Sequence, residues 1–196
     1  MAKPDAPVSE IGRSRIKKGV NTVLKFFHAA KAIGTGLLLS ALWLPTAQAG
    51  DMQQLYLVRH AEKADLSKDP ALSACGEAQA TALATLLQDV NLPQLYHSGY
   101  QRTQQTAAAN LKAGRQLQQY DAKDLPALAA QLRKTTTNAL VVGHSNTTPQ
   151  LATLLSQLAA PALQESDYGR IYQLTRAGEE WSLQILQLPI PAICQR

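Results

Sequence analysis

The stretch Leu55-Tyr56-Leu57-Val58-Arg59-His60-Ala61-Glu62-Lys63 constrains the fold more than any other part of the chain. An apolar run that breaks at once into an arginine, a histidine and a glutamate predicts a buried strand delivering polar side chains to its own C-terminal end. Open α/β sheets bind ligands at that edge. Arginine's planar fork grips phosphate oxygens in pairs, and a neutral ring nitrogen beside it can attack phosphorus, so the pairing suits a phosphorylated ligand.

Two later stretches repeat the arrangement. Tyr96-His97-Ser98-Gly99-Tyr100-Gln101-Arg102 places a second arginine just beyond a short strand, and Ala139-Leu140-Val141-Val142-Gly143-His144-Ser145-Asn146 ends a third apolar strand in Gly-His. Together these three blocks resemble the histidine phosphatase superfamily, also called phosphoglycerate-mutase-like, in its branch of small phosphatases (branch 1). The resemblance covers most of the chain after residue 50.

The resemblance implies that His60 is the nucleophile, forming a phosphohistidine that water then hydrolyses. Arg59 and Arg102 match the two phosphate-gripping arginines. His144 matches the second histidine, which contacts the same oxygens and stabilises the transition state. No metal or other cofactor is implied, and no metal-ligand spacing such as Glu-x-x-His accompanies the two histidines. Ser98 is retained as a phosphate contact where the family commonly shows Ser-Ser-Pro and this chain has His97-Ser98-Gly99; His97 itself reads as a loop or core residue. Gly143 lets the backbone come close. Ser145 and Asn146 lie where the next helix begins, so their N–H groups could add to anion binding, with helix capping the preferred role for Asn146.

The proton donor is open. Related enzymes place a carboxylate after the third strand, where this chain offers Asp121, with Asp124 reading as a helix cap. Glu62, two residues past the nucleophile, is the other candidate, with a salt bridge to Lys63 or an arginine as its alternative role.

Strands alternating with helices predict an α/β three-layer sandwich, with a mainly parallel sheet covered by helices on both faces. Ser73 caps a helix over about 74–87, and a strand follows near 95–98. A helix from Arg102 ends at Gly114, a short strand spans 116–120, and Asp124 caps a third helix. After the strand at 139–143 comes a helix to about Leu158. The tail, 170–174 and 181–188, reads as an antiparallel hairpin added to the sheet.

The first 49 residues read separately. Seven lysines and arginines precede the apolar run Ile33 to Leu44, then Pro45 and Ala47-Gln48-Ala49: a basic region, a short apolar core and an A-x-A cleavage site. This defines a signal peptide over 1–49 and a histidine phosphatase domain over 50–196, exported or periplasmic. An uncleaved anchor is the alternative, for which a dozen apolar residues fall short of the ~20 that span a bilayer. The chain's net charge of +5 belongs to the leader, since twelve basic and twelve acidic residues remain after it. A neutral mature domain removes the charge argument for nucleic-acid binding. The two cysteines, Cys75 and Cys194, either pair in an oxidising compartment, tying the tail to the first helix, or stay as free thiols.

The expected activity is phosphomonoester hydrolysis on a small phosphorylated substrate, with a cell-envelope phosphosugar as the substrate class that suits export. A mutase needs insertions for which this chain has no room. A protein phosphohistidine phosphatase and a non-catalytic phosphate- or phosphosugar-binding module are the remaining alternatives. N-terminal sequencing of the exported protein is expected to begin at Gly50; a chain that still carries residues 1–49 would favour the anchor.

Overall fold

β1 (Met52–Arg59) is buried from Leu55 onward because the sheet is covered on both sides. The structure, a computed structural model, describes residues 52–195, so the expected leader and its cleavage point lie outside the described residues. After β1 the chain runs through α1 (Ala74–Leu86), β2 (Gln94–His97), α2 (Gln101–Ala108) and β3 (Gln116–Gln119). It continues through α3 (Leu125–Arg133), β4 (Ala139–Gly143) and α4 (Thr147–Ser156) to the hairpin β5 (Arg170–Ala177) and β6 (Glu180–Gln187). A short 3-10 turn, Ala192–Cys194, follows.

The sheet order is β3-β2-β4-β1-β5-β6. β3, β2, β4 and β1 are parallel neighbours, while β5 runs antiparallel to β1 and β6 antiparallel to β5. Alternation along β1 sends Leu55 and Leu57 into one layer with Leu128, Leu132, Leu151 and Leu155 of α3 and α4. Tyr56 and Val58 enter the other with Leu83 of α1 and Ala107 of α2. This is the expected three-layer α/β sandwich, with the parallel strands all ending at one edge.

Local chemistry sets most boundaries. Ser73 Oγ accepts from Gly76 N at 3.0 Å to start α1, and Asp124 Oδ1 accepts from Ala127 N at 3.0 Å to start α3. Gly76 is required by packing, since a Cβ there would stand 2.0 Å from the Glu62 carbonyl oxygen.

Three expectations need correction. α2 stops at Ala108, six residues before Gly114. The turn after it is closed by Arg115, whose guanidinium donates to the carbonyls of Asn110, Leu87 and Val90. Asn146 holds the position before α4 but makes no side-chain capping bond; Thr147 Oγ1 accepts the His144 N–H at 2.9 Å instead. The hairpin is longer than its apolar core suggested, because a two-residue loop, Gly178-Glu179, lets the strands pair as far as Ala177 and Glu180.

Cys75, buried near the start of α1, is disulfide-bonded to Cys194, with Cα atoms 5.0 Å apart. The bridge closes a sequence separation of 119, so removing it frees a long loop in the unfolded chain. Thiol titration of the unreduced, denatured protein is expected to find no free thiol. The Cys75→Ser/Cys194→Ser double variant should lose about 2–4 kcal/mol in urea unfolding. Two titratable thiols, or an unchanged midpoint, would count against the bridge.

Candidate active site

Register brings the polar strand ends together. β1 pairs β4 with Arg59 opposite Gly143, and His60 N donates to Gly143 O at 2.9 Å, carrying the parallel pairing one residue past the strand. His60 and His144 therefore emerge side by side, ring centroids 5.4 Å apart and nearly edge to face. Gly143 fits because three hydroxyls crowd it: a Cβ there would lie 2.9 Å from Thr147 Oγ1, 3.0 Å from Thr148 Oγ1 and 3.1 Å from Tyr120 Oη.

His60 is buried, and its Nδ1 lies 2.8 Å from the Ala61 carbonyl. A carbonyl can only accept, so Nδ1 carries the hydrogen and Nε2 keeps its lone pair. Burial pushes the imidazole down to about 3, against the opposing pull of the Ala61 carbonyl, and Arg59, His144 and Arg102 lower it further. Thr106 Oγ1 holds the following peptide by accepting from Ala61 N at 3.0 Å.

His144 is fixed by a relay. Its Nε2 lies 2.7 Å from Ser98 Oγ, Ser98 Oγ lies 3.2 Å from Thr103 Oγ1, and Thr103 donates to the Tyr100 carbonyl at 2.8 Å. The terminal carbonyl again sets the direction, so His144 Nε2 donates to Ser98. Burial first, then Arg102 and Arg59, push this ring down to about 4. Both imidazoles are neutral at pH 7 as a result.

Arg59 and Arg102 each lie over a tyrosine ring, Tyr168 and Tyr100 respectively, with guanidinium carbons 4.4 Å from the centroids. Arg59 Nη1 donates to the carbonyls of Gln164, Glu165 and Asp167 at 3.0, 2.6 and 3.3 Å, and Nη2 pairs with Glu165 Oε2 at 2.8 Å. Yet Arg59 Nε, Arg102 Nε and Arg102 Nη1 are buried without any acceptor. Asp69, 3.7 Å from Arg102 Nη1, is too far for a hydrogen bond. Buried cationic donors are costly to leave unpaired, so these three suit an oxyanion.

An open cleft of about 360 Å³ is lined by His60, His144, Arg102, Tyr100, Lys63, Lys123, Ser145, Asn146 and Glu165, among others. A roomier one, about 620 Å³, sits between the end of α4 and the β5–β6 turn, but no histidine lines it and none of its donors is buried without a partner. Among the described residues no group of three His, Cys, Asp or Glu side chains converges as metal ligands.

Of the residues singled out from sequence, Arg59, His60, Arg102 and His144 come together. Ser98 is close to the site but is spent orienting His144 rather than lining the cleft. His97 is buried at the end of β2, its Nδ1 accepting from Gly99 N at 3.1 Å. The two candidate carboxylates are occupied elsewhere. Glu62 Oε1 accepts from Ser73 Oγ at 2.8 Å, and exposed Asp121 accepts from Lys123 N at 2.9 Å in a local turn; neither lines the cleft. The acidic side chain that does is Glu165, together with Tyr168 part of a polar loop to which sequence reasoning assigned no role. No local sequence signal marks them; their place follows from β5 running antiparallel to β1, with Ile171 opposite Val58, which carries the residues just before β5 past the site.

A family model described as "Histidine phosphatase superfamily (branch 1)" matches residues 55–125. The fold is shared with a Nakamurella multipartitia protein described as a phosphohistidine phosphatase, SixA, at 22% identity over 72% of this chain and 97% of that one, TM-score 0.54. It is shared also with the protein histidine phosphatase SixA complexed with tungstate, at 18% identity, 68% and 96% coverage, TM-score 0.55. The α-ribazole phosphatase from Shigella flexneri matches at 21% identity, 68% and 96% coverage, TM-score 0.52. No curated protein matches the chain. With the three strand-end blocks on a phosphoglycerate-mutase-like sheet and a family model spanning the first two of them, the chain is similar to branch 1 of the histidine phosphatase superfamily.

Proposed function

We propose that the protein is a metal-independent phosphatase that hydrolyses a phosphomonoester through a phosphohistidine on His60. The observation that carries the reading is the set of buried, unpaired guanidinium donors on Arg59 and Arg102 beside two neutral imidazoles. A tetrahedral oxyanion satisfies those donors, and tungstate, bound by the related SixA, is an anion of that shape. His60 Nε2 attacks phosphorus, Arg59 and Arg102 take up the charge that spreads over the phosphoryl oxygens, His144, its Nε2 hydrogen spent on Ser98, stands beside the nucleophile as a neutral wall of the site, and water later displaces phosphate from the ring.

The basic and apolar leader with its A-x-A site, and two cysteines that pair, support an exported or periplasmic address. A cell-envelope phosphosugar is the substrate class that fits such an address. The openness of the cleft and the SixA likeness favour a second reading, removal of phosphate from a protein phosphohistidine.

Incubated with a generic aryl phosphate in EDTA, the purified protein should turn over, and His60→Ala should lose at least about 10³-fold in kcat/KM. Failure to turn over so activated an ester would favour a phosphate-binding module, and activity that EDTA abolishes would remove the metal-independent route.

The neutral imidazoles also set a pH dependence. Ring NMR signals of His60 and His144 should show both unprotonated at pH 5. Because the unfolded chain takes up these protons below about 6.5 while the folded one resists, stability should fall as pH drops from about 6.5 toward 4. A His60 that titrates near its ordinary value would contradict the burial argument.

A further inference from the structure

We propose that Glu165 is the proton donor to the leaving alcohol, held on Arg59 in the empty site and displaced from it by the incoming phosphoryl group. The inference rests on the phosphohistidine reading above. Glu165 is the acidic side chain lining the cleft of His60, Arg102 and His144. Its Oε2 occupies Arg59 Nη2 at 2.8 Å, and its Oε1 accepts from Ser145 Oγ. A carboxylate is thus bound on the fork that the family uses for phosphate.

The contact is built to be exchanged. The Glu165 side chain is 77% exposed, whereas that of Arg59 is 3% exposed, so the carboxylate reaches in from solvent and can swing away. The guanidinium stays, because Nη1 is held by three backbone carbonyls and its face by Tyr168, none of which depends on the carboxylate. The same loop therefore anchors the arginine and covers it.

Displacement changes the acid. In the empty site the Ser145 hydrogen bond, then Arg59, Lys63 and His60, hold Glu165 below its ordinary range and keep it ionised. A bound phosphoryl dianion neutralises Arg59 and repels a second negative charge beside it, which raises the carboxyl and lets it protonate. As His60 Nε2 bonds to phosphorus and the ester P–O bond breaks, the leaving oxygen takes the Glu165 proton. The resulting carboxylate then takes a proton from water attacking phosphohistidine; the P–N bond breaks, phosphate leaves, and neutral His60 and protonated Glu165 are restored.

The test is a leaving-group series read as kcat/KM, which reports only the steps through P–O cleavage. For Glu165→Gln, the ratio of kcat/KM on an alkyl phosphate to that on p-nitrophenyl phosphate should fall about 10²-fold or more, because only the poor leaving group needs the acid while any change in phosphate binding is common to both. The basic limb of the alkyl pH profile should disappear with it. A ratio within about threefold of wild type, which includes an equal change on both substrates, would overturn the role. Loss of p-nitrophenyl phosphate turnover in His60→Ala is read separately, so a failure of the phosphohistidine route is not confused with a failure of this one.

Discussion

The parallel register of β1 on β4 is the constraint on which the site depends. Setting Arg59 opposite Gly143 and closing the pairing with the His60 N–H on the Gly143 carbonyl leaves the two imidazoles no choice but to stand beside each other. A slip of one residue would turn every side chain of β1 to the opposite face, moving His60 off the site and pressing Leu55 and Leu57 into the layer shaped around Tyr56 and Val58. The two apolar layers hold that register, since they demand Leu55 and Leu57 on one side and Tyr56 and Val58 on the other. Hydrophobic packing of the strand and placement of the nucleophile are thus one requirement.

Electrostatics sets the second. The domain after residue 49 is formally neutral, yet it buries two guanidinium groups within reach of two imidazoles. Charge taken out of water must be paired or hydrogen-bonded. Here part of the compensation is permanent, through the carbonyls of Gln164, Glu165 and Asp167 and the faces of Tyr168 and Tyr100. The remainder is exchangeable, carried by Glu165 in the empty site and by an oxyanion when one binds. The histidines contribute by staying neutral, which keeps the site from adding to the positive charge of its arginines and lysines before the substrate brings its negative ones.

The sequence displayed the strand-borne half of this arrangement and concealed the half carried by the loop before β5. Arg59, His60, Arg102 and His144 sit at the ends of short apolar strands, and such strands are legible because burial on both faces leaves a run of apolar residues. The three-layer fold followed from their alternation with helices. Glu165 and Tyr168 lie in a loop, where no periodicity marks a residue and position depends on which strand the loop enters beside. Identifying them needed the knowledge that β5 pairs with β1, a long-range pairing that local patterns do not encode. The same limit bears on the two sequence-derived carboxylates: Glu62 accepts from Ser73 Oγ and Asp121 from Lys123 N, contacts that nearness in sequence to the nucleophile and to the third strand did not foretell.

The disulfide connects to this picture through a short chain of contacts. Gln79 Nε2 lies 3.3 Å from Cys75 Sγ, and Gln79 Oε1 accepts from Glu62 N at 2.9 Å. The Glu62 carbonyl in turn accepts from Ser73 N at 3.0 Å, at the start of the helix that carries Cys75. The segment just after His60 is therefore strapped to α1 at two backbone atoms, and α1 is pinned to the C-terminal tail at Cys194. Because Nδ1 of His60 takes its orientation from the Ala61 carbonyl, the peptide immediately before Glu62, any freedom in this segment would reach the ring directly. A small domain has few ways to hold a nucleophile steady. Closing the chain behind the loop that orients it is one such way, and it costs only two cysteines.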